Sequence, residues 1–183
     1  MGIAARLAKW ITKPWREYRR RTDPVGYARS LGIRVGENCR LLGEIHYGTE
    51  PYLITIGNRV SISDGSMILT HDGGVWCIRE QEPDADLFAP VTIGNNVFIG
   101  ARVIILPGAK IGDNCVIGTG SIVTGEIPPD SVAAGVPAKV IRPIEHYKEK
   151  CRANAFHIRS LPREEQRRYL TEHFAQEAKN EDT

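Results

Sequence analysis

Aliphatic residues recur at every sixth position through the middle of this chain, from Val91 to Ile127. The repeating positions are Ile93, Ile99, Ile105, Ile111, Ile117 and Val123. A second register, four residues further on, is mostly small or β-branched: Val97, Val103, Ala109, Cys115, Ser121 and Ile127. A helix would repeat every 3.6 residues and a half-buried strand every second residue, so neither produces this pattern. The six-residue period indicates a parallel β-helix and argues against an unrelated β-sandwich.

Three six-residue sides close one coil, so each residue is predicted to stack on residue i+18 at about 4.8 Å. Upstream the same spacing begins at Val35, with three residues inserted around 50–52 and nineteen more between about Thr70 and Pro90. The predicted interior columns are Val35/Ile56/Ile93/Ile111, Leu41/Ile62/Ile99/Ile117 and Tyr47/Ile68/Ile105/Val123. The small register stacks in the same way, as Cys39/Val60/Val97/Cys115. We therefore predict an all-β core of about four coils.

The N-terminal segment has apolar residues at helical spacing and ends in a basic cluster. The apolar positions are Ile3, Leu7, Trp10, Ile11, Trp15 and Tyr18, and the basic positions are Arg16, Arg19, Arg20 and Arg21. We favour a helix that packs on its own protein; the alternative is weak peripheral contact with an anionic membrane. Asp23 before Pro24 predicts the start of a short second helix that ends near Gly32.

Beyond Ile127 the chain leaves the coil at Pro128-Pro129-Asp130, and residues 131–144 are so rich in Gly and Pro that we predict no regular element there. Two C-terminal helices are predicted, from Glu145 to Ala155 and from about Ser160 onward. The second has an apolar stripe of Tyr169, Leu170, Phe174 and Ala178. The predicted division is therefore a helical segment over 1–32, a β-helix over 33–142 with an excursion at about 70–90, and helices over 143–183.

Composition narrows the function classes. The 183 residues carry a formal net charge of +2, which argues against general nucleic-acid binding. The four cysteines (Cys39, Cys77, Cys115 and Cys151) have neither a CxxC pair nor zinc-ligand spacing. Cys39 and Cys115 fall in the interior register, so we expect buried thiols. Because there is no signal-peptide pattern and no apolar run of about 20 residues, the cytoplasm is the expected location.

Two stretches carry a family resemblance. The block from Ile93 to Arg142, beginning IGNNVFIGARVIILPGAKIGDNCVIG and ending AAGVPAKVIR, resembles the C-terminal half of maltose, galactoside and polysaccharide O-acetyltransferases. Residues 50–76, EPYLITIGNRVSISDGSMILTHDGGVW, look closer to capsular-polysaccharide or sugar O-acetyltransferases. The resemblance, to hexapeptide-repeat acyltransferases, covers roughly Val35 to Tyr147. The resemblance implies a left-handed β-helix, although crossovers between parallel strands are usually right-handed. It also implies a homotrimer with sites between subunits.

In that family the catalytic base is a histidine at the point where the chain leaves the second coil for an excursion, and His71 matches that position. An imidazole suits the task because it titrates near neutral pH and can remove the proton of an attacking hydroxyl. Asp72 or Glu50 could orient the imidazole or bind the acceptor. Glu50 resembles an acidic acceptor-site position of the sugar acetyltransferases, although either acid could equally be a solvated loop residue.

No cysteine or serine lies in a nucleophile elbow, so we expect direct transfer without an acyl-enzyme. The resemblance implies acetyl coenzyme A as co-substrate, with the backbone N–H of Ala101 facing the thioester oxygen. The implied pantetheine contacts are Gly100, Ala101, Thr119 and Thr124, and the implied contacts near the adenosine end are Gly135, Pro137 and Ala138. Lys139 and Arg142 would meet the phosphates; the plainer interpretation of these two is exposed surface cations.

We predict an acetyl-CoA-dependent O-acetyltransferase, without a metal, acting on a hydroxyl of a sugar or surface-polysaccharide precursor. Trp76 and Arg79 in the excursion could bind the acceptor, or the tryptophan could simply anchor the loop. The alternatives are acetylation of an antibiotic or amino sugar, and a non-catalytic trimeric scaffold. A carbonic anhydrase of the same fold would need three histidines around zinc, but the coil region holds only His46 and His71.

Overall fold

The computed structural model describes residues 17–181, which form two compact units divided between Tyr147 and Lys148. The structure shows this one division, whereas the sequence-based prediction has two, at 32/33 and 142/143. Most of the predicted N-terminal helix lies outside the described residues, of which 17–22 are helical.

Short strands in three sheets make up most of the first unit. The first sheet is ordered β1 (Arg34–Val35), β3 (Ile54–Ile56), β6 (Val91–Ile93), β9 (Lys110–Ile111), β12 (Glu126–Ile127). The second is ordered β14 (Ala138–Pro143), β13 (Ser131–Gly135), β10 (Val116–Ile117), β7 (Phe98–Ile99), β4 (Ser61–Ile62), β2 (Arg40–Leu41). The third is ordered β11 (Ile122–Val123), β8 (Ile104–Ile105), β5 (Met67–Ile68). Along the chain the strands visit the three sheets in turn, which is a parallel β-helix.

Strand pairing confirms the predicted columns. In the first sheet Ile56 pairs with Ile93 and Ile93 with Ile111, all in parallel register. The Leu41 and Ile68 columns pair as predicted in the other two sheets. The side chains of these columns are at most 7% exposed, apart from Val35 on the first coil, which is only partly buried. Fully burying an isoleucine stabilises a protein by about 1.5–3 kcal/mol, so each buried isoleucine of these columns stabilises the unit substantially.

The corner between the first and second sheets, which we call the asparagine corner, has the same turn conformation in every coil. Its turn residue has a positive φ of 54–59°, in the left-handed region that Asn and Asp tolerate; the residues are Asn38, Arg59, Asn96, Asn114 and Asp130. Side chains also link successive coils. Asn95 Oδ1 accepts the backbone N–H of Asn58 at 2.9 Å, and Asp113 Oδ1 accepts that of Asn95 at 2.6 Å. The turn amides are therefore satisfied by the next coil.

The corner between the third and first sheets carries both predicted insertions. The shorter one forms a 3₁₀ turn over Pro51–Leu53, and the longer one contains a 3₁₀ helix over Gly73–Ile78. At the base of the longer insertion, Asp72 N–H donates to the Leu87 carbonyl at 2.9 Å and Ala89 N–H to the Thr70 carbonyl at 2.9 Å. We call this antiparallel pairing of residues 70–72 with 87–89 the neck.

One prediction is wrong. Residues 131–144 are not irregular: β13 pairs parallel with β10 and antiparallel with β14, extending the second sheet. Ala133 stacks on Ile117, so the interior column continues for one more rung with a smaller residue. The small residues of this segment reflect close packing, because a Cβ on Gly118 would already lie 2.8 Å from the Ala134 Cβ.

Three helices outside the coils lie close to the predicted bounds: α1 (Pro24–Ser30), α2 (Ile144–Asn154) and α3 (Arg163–Glu181). Asp23 caps α1 by accepting the Gly26 N–H at 2.8 Å. Tyr169 and Phe174 of the predicted stripe remain about half exposed. No helix within residues 17–181 has the length and apolarity needed to cross a membrane.

The described part of the basic cluster is paired with the chain's own acids. Arg20 contacts Glu17 at 2.8 Å and Glu44 at 3.0 Å, and Arg21 contacts Glu17 at 2.9 Å. For residues 17–22, the contact of Arg20 with Glu44 fits a helix that packs on its own protein better than one that binds an anionic surface.

The expectation of two buried thiols is half right. Cys115 is 1% exposed, and burial raises the pKa of its thiol. Cys39 is only partly buried, because it lies on the first coil, where no described rung precedes it in the column.

Candidate active site

His71 and Glu50 meet at the corner that carries the two insertions. His71 Nδ1 lies 3.0 Å from Glu50 Oε2; the glutamate side chain is 15% exposed and the histidine side chain 39%. An ionised carboxylate only accepts hydrogen bonds, so the contact requires the proton on Nδ1. Nε2 then holds the lone pair of the neutral ring, and no described residue is hydrogen-bonded to it. The arrangement can accept a proton at Nε2.

Two threonine hydroxyls complete this cluster. Thr70 Oγ1 lies 3.3 Å from Glu50 Oε2, and Thr49 Oγ1 lies 3.2 Å from His71 Nδ1. A hydrogen bond from the Thr49 side chain, together with those from His71 and Thr70, outweighs desolvation and lowers the pKa of Glu50 below the ordinary 4.5. Glu50 is therefore ionised throughout the neutral range. Neither threonine is predicted from the sequence as a site residue, although Thr49 directly precedes Glu50 and Thr70 directly precedes His71.

Asp72 is turned away from this pair. Its carboxylate accepts the Gly74 N–H at 2.8 Å and so caps the 3₁₀ helix of the excursion. Of the two acids left open as partners of the imidazole, the structure brings Glu50 to His71, and it gives Asp72 a local capping contact.

The excursion holds Trp76 and Arg79 in different environments. Trp76 is 79% exposed, so it does not anchor the loop; Val75, at 6% exposure, does. Arg79 donates to Asp86 at 2.8 Å and to the Pro83 carbonyl at 2.9 Å, which ties the two halves of the excursion together. The Trp76 side chain is therefore accessible to a ligand, whereas the Arg79 guanidinium is already hydrogen-bonded to Pro83 and Asp86 within the loop.

Several of the candidate coenzyme residues lie at the corner between the second and third sheets. Gly100 allows the coils to approach, because a Cβ there would lie 2.6 Å from Thr119 N. The Ala101 carbonyl accepts Gly120 N–H at 2.9 Å, while no described residue accepts its own N–H. Gly135 N–H donates to Ser121 Oγ at 3.1 Å, which holds the β13–β14 turn at the same corner. That turn contains Pro137 and leads into Ala138.

A bulge brings the two candidate phosphate ligands to one face. In a regular strand Lys139 and Arg142, three residues apart, would point to opposite faces. Here the register of β13 with β14 shifts, so that Lys139 pairs with Ala134 and Arg142 with Val132. Directly opposed residues share a face, and Ala134 and Val132 are two residues apart, so both cations lie on the same face.

The structure does not bring all the candidate site residues together. Ala101 precedes β8 at one end of the third sheet, whereas His71 and Thr124 lie beyond β5 and β11 at the other end. Thr124 aligns with Leu106, five residues after Ala101, so at about 3.3 Å per residue roughly 16 Å separates these ends. One chain therefore carries a proton acceptor and a potential oxyanion donor on separate corners.

Sequence and structure comparisons identify the family. The family model of bacterial transferase hexapeptide (six repeats) matches residues 90–125. Protein CapG of Staphylococcus aureus is 46% identical over 154 residues, covering 83% of this chain and 90% of CapG. Galactoside O-acetyltransferase of Escherichia coli (strain K12) is 41% identical over 129 residues, covering 68% of this chain and 62% of that enzyme.

Among solved structures, a galactoside acetyltransferase in complex with coenzyme A superposes with a TM-score of 0.53 at 28% identity, covering 87% of this chain and 90% of that one. These relatives imply that the β-helix winds left-handed, as the resemblance suggested. With nine tenths of CapG matched at 46% identity, the chain belongs to the bacterial hexapeptide-repeat transferase family and, within it, to the acetyltransferases.

Proposed function

We propose that this protein is an acetyl-CoA-dependent O-acetyltransferase whose acceptor is a hydroxyl of a sugar or surface-polysaccharide precursor. The observation that carries the proposal is the 3.0 Å contact of His71 Nδ1 with Glu50, which leaves Nε2 as the base. Two relatives support this choice of donor and acceptor. One solved structure is a galactoside acetyltransferase in complex with coenzyme A, and one curated relative is a galactoside O-acetyltransferase.

In the proposed reaction His71 Nε2 removes the proton of the acceptor hydroxyl as its oxygen bonds to the thioester carbonyl carbon. The carbonyl oxygen becomes an oxyanion, which accepts the Ala101 N–H. The oxyanion then re-forms the carbonyl and the carbon–sulfur bond breaks. The leaving thiolate takes the proton from Nε2, which restores the neutral imidazole. Glu50 stays ionised and stabilises the imidazolium that exists between the two proton transfers.

The coenzyme proposal rests on the corner between the second and third sheets. Gly100, Thr119 and Gly135 lie there beside Ala101, and Lys139 and Arg142 extend from β14 on a common face. Two cations side by side suit a group that carries several phosphates. Thr124 lies at the other corner, with His71, so its proposed contact with pantetheine would come from a different subunit than that of Ala101.

The outer faces of the sheets favour a homotrimer with shared sites. The outward side chains of the first sheet are polar or charged: Arg34, Thr55, Thr92, Lys110 and Glu126. Those of the third sheet, Met67, Ile104 and Ile122, are apolar and only partly exposed. A second copy packed along this apolar face would bring one chain's His71 towards another chain's Ala101, which a single chain cannot do. We therefore assign the third sheet to the subunit interface.

The test is release of free thiol from acetyl coenzyme A with a panel of acceptors: sugars, nucleotide sugars, oligosaccharides, amino sugars and aminoglycoside antibiotics. We expect thiol release, with matching O-acetyl product by mass spectrometry, for at least one saccharide. N-acetyl product alone would support the antibiotic or amino-sugar alternative instead. No thiol release and no coenzyme A binding by calorimetry would favour the scaffold.

A further inference from the structure

The neck places one residue beside His71 that neither the sequence motifs nor the site described above includes. His71 and Phe88 face each other as an antiparallel bridge. The hydrogen bonds that flank the bridge run from Asp72 N to Leu87 O and from Ala89 N to Thr70 O, so His71 and Phe88 form a non-hydrogen-bonded pair. In such a pair the two side chains leave the same face, with Cβ atoms about 4.5–5.5 Å apart. Phe88 is therefore on the imidazole side of the neck.

The ring of Phe88 is open to a ligand. The residue is 53% exposed. The aromatic ring contacts within residues 17–181 involve Phe156, Tyr169, His173 and Phe174, all in the second unit, so no described ring covers Phe88. The surroundings of His71 are thus asymmetric: Glu50 and two threonines lie on its Nδ1 side, and a bare aromatic ring lies across the neck.

We propose that Phe88 is an acceptor-positioning residue, whose ring receives the C–H face of a pyranose while one hydroxyl of that sugar reaches His71 Nε2. This inference rests on the proposed function and narrows it to cyclic sugar acceptors. A pyranose has apolar C–H faces and hydroxyls around its edge. Stacking on the flat Phe88 ring would therefore fix how far the sugar enters the site and the angle at which its reacting hydroxyl faces His71 Nε2. Holding the nucleophile in place in this way lowers the entropic part of the barrier. An acyclic polyol has the same hydroxyls but no flat face.

The chain supplies a matched control next to Phe88. Leu87 is 56% exposed and points to the opposite face of the neck, because successive strand residues alternate. Phe88→Ala removes the ring, Phe88→Leu keeps apolar volume without a flat face, and Phe88→Trp keeps a flat face. Leu87→Ala removes a similar exposed apolar area from the other side. Circular dichroism and light scattering check that all four variants fold and assemble as the wild type does.

The experiment compares methyl glucopyranoside and methyl galactopyranoside with the alditols glucitol and galactitol. For the better pyranoside we expect Phe88→Ala and Phe88→Leu to raise the acceptor KM about three- to tenfold, the size expected of an aromatic contact, with the KM for acetyl coenzyme A unchanged. Phe88→Trp and Leu87→Ala should stay within twofold, and kcat/KM for the alditols should not change with any variant.

Two results would overturn the inference and leave the proposed function standing. One is an unchanged pyranoside KM in Phe88→Ala; the other is an equal loss for pyranosides and alditols. If the folded wild type transfers acetyl to no saccharide at all, the proposed function fails and the inference fails with it.

Discussion

Two corners of the same β-helix differ in how strictly they repeat. At the asparagine corner, each coil presents the same turn, and side chains such as Asn95 and Asp113 bond to the backbone of the coil before. At the corner between the third and first sheets, the repeat is broken by residues 50–52 and by the excursion. The first corner satisfies its polar groups within the stack, whereas the second leaves His71 Nε2 and the Phe88 ring open. The repeat builds the scaffold, and its interruptions carry the proposed general base.

The largest expected effect comes from breaking the repeat where it is most regular. Ile99 is fully buried and pairs with Ile62 and Ile117. In Ile99→Asp a carboxylate would lie unpaired among aliphatic side chains, and the cost of burying that charge exceeds the typical stability of a domain. We expect no soluble folded protein, assayed by expression and circular dichroism. Ile99→Val is the control and should cost about 0.5–1.5 kcal/mol.

At the interrupted corner, removing the charge beside the imidazole should cost much more in catalysis than in folding. Glu50→Gln can no longer stabilise an imidazolium or select the tautomer protonated on Nδ1, so we expect kcat to fall on the order of 10²-fold. Asp72→Asn keeps an acceptor for the Gly74 N–H and should lose less than about threefold. Steady-state kinetics with saturating acetyl coenzyme A compares the two variants. Equal losses would mean that the structure has assigned the wrong acid to His71.

The asparagine corner should respond in the opposite sense. Asn95→Ala removes an acceptor used by the Asn58 backbone N–H and the donor to Asp113 at 3.1 Å. We expect a loss of about 1 kcal/mol in the free energy of unfolding, measured by denaturant titration, with kcat unchanged. A fall in kcat without a loss of stability would remove the distinction between a scaffold corner and a catalytic one.

The smallest effect is a pH dependence of stability at the interrupted corner. The pKa of Glu50 is lower in the folded protein than its ordinary 4.5, so its ionisation favours folding above that pH. This contribution disappears as the pH falls below 4.5 through the folded-state pKa. The stability difference between wild type and Glu50→Gln should therefore shrink on acidification below pH 4.5. A difference that grows on acidification would contradict the ionised pair.

The sequence predicts the regular parts of this molecule because every six-residue rung places an aliphatic side chain at an equivalent interior position. Ile93, Ile99 and Ile105 face the interior, and the six-residue period alone assigns their register. The sequence does not predict β13 and β14 because Gly135 and Pro137 argue against a regular element, although Gly135 only ends β13 and Pro137 lies in the turn before β14. Local composition could not show that β10 offers Val132 and Ala133 a partner strand.

For the site, the resemblance supplied His71, but contacts had to come from the structure. The choice between Glu50 and Asp72 depends on which carboxylate the insertion turns towards the ring, and no periodicity determines that. Lys139 and Arg142 lie on the same face only because of a bulge. In a regular strand, their spacing of three residues predicts opposite faces. Phe88 faces His71 across sixteen intervening residues of the excursion, so only the pairing of the neck reveals it.

The central claim, that His71 is the general base of the reaction, is tested most directly by the pH dependence of turnover in wild type and His71→Ala. We expect the wild-type rate to rise with pH as one imidazole loses its proton, and His71→Ala to lose about 10²–10⁴ in kcat together with that limb. Its affinity for coenzyme A should be retained, whereas Lys139→Ala should weaken that affinity with a smaller effect on kcat. Near-normal turnover with the pH limb intact, in folded and assembled His71→Ala, would contradict the account.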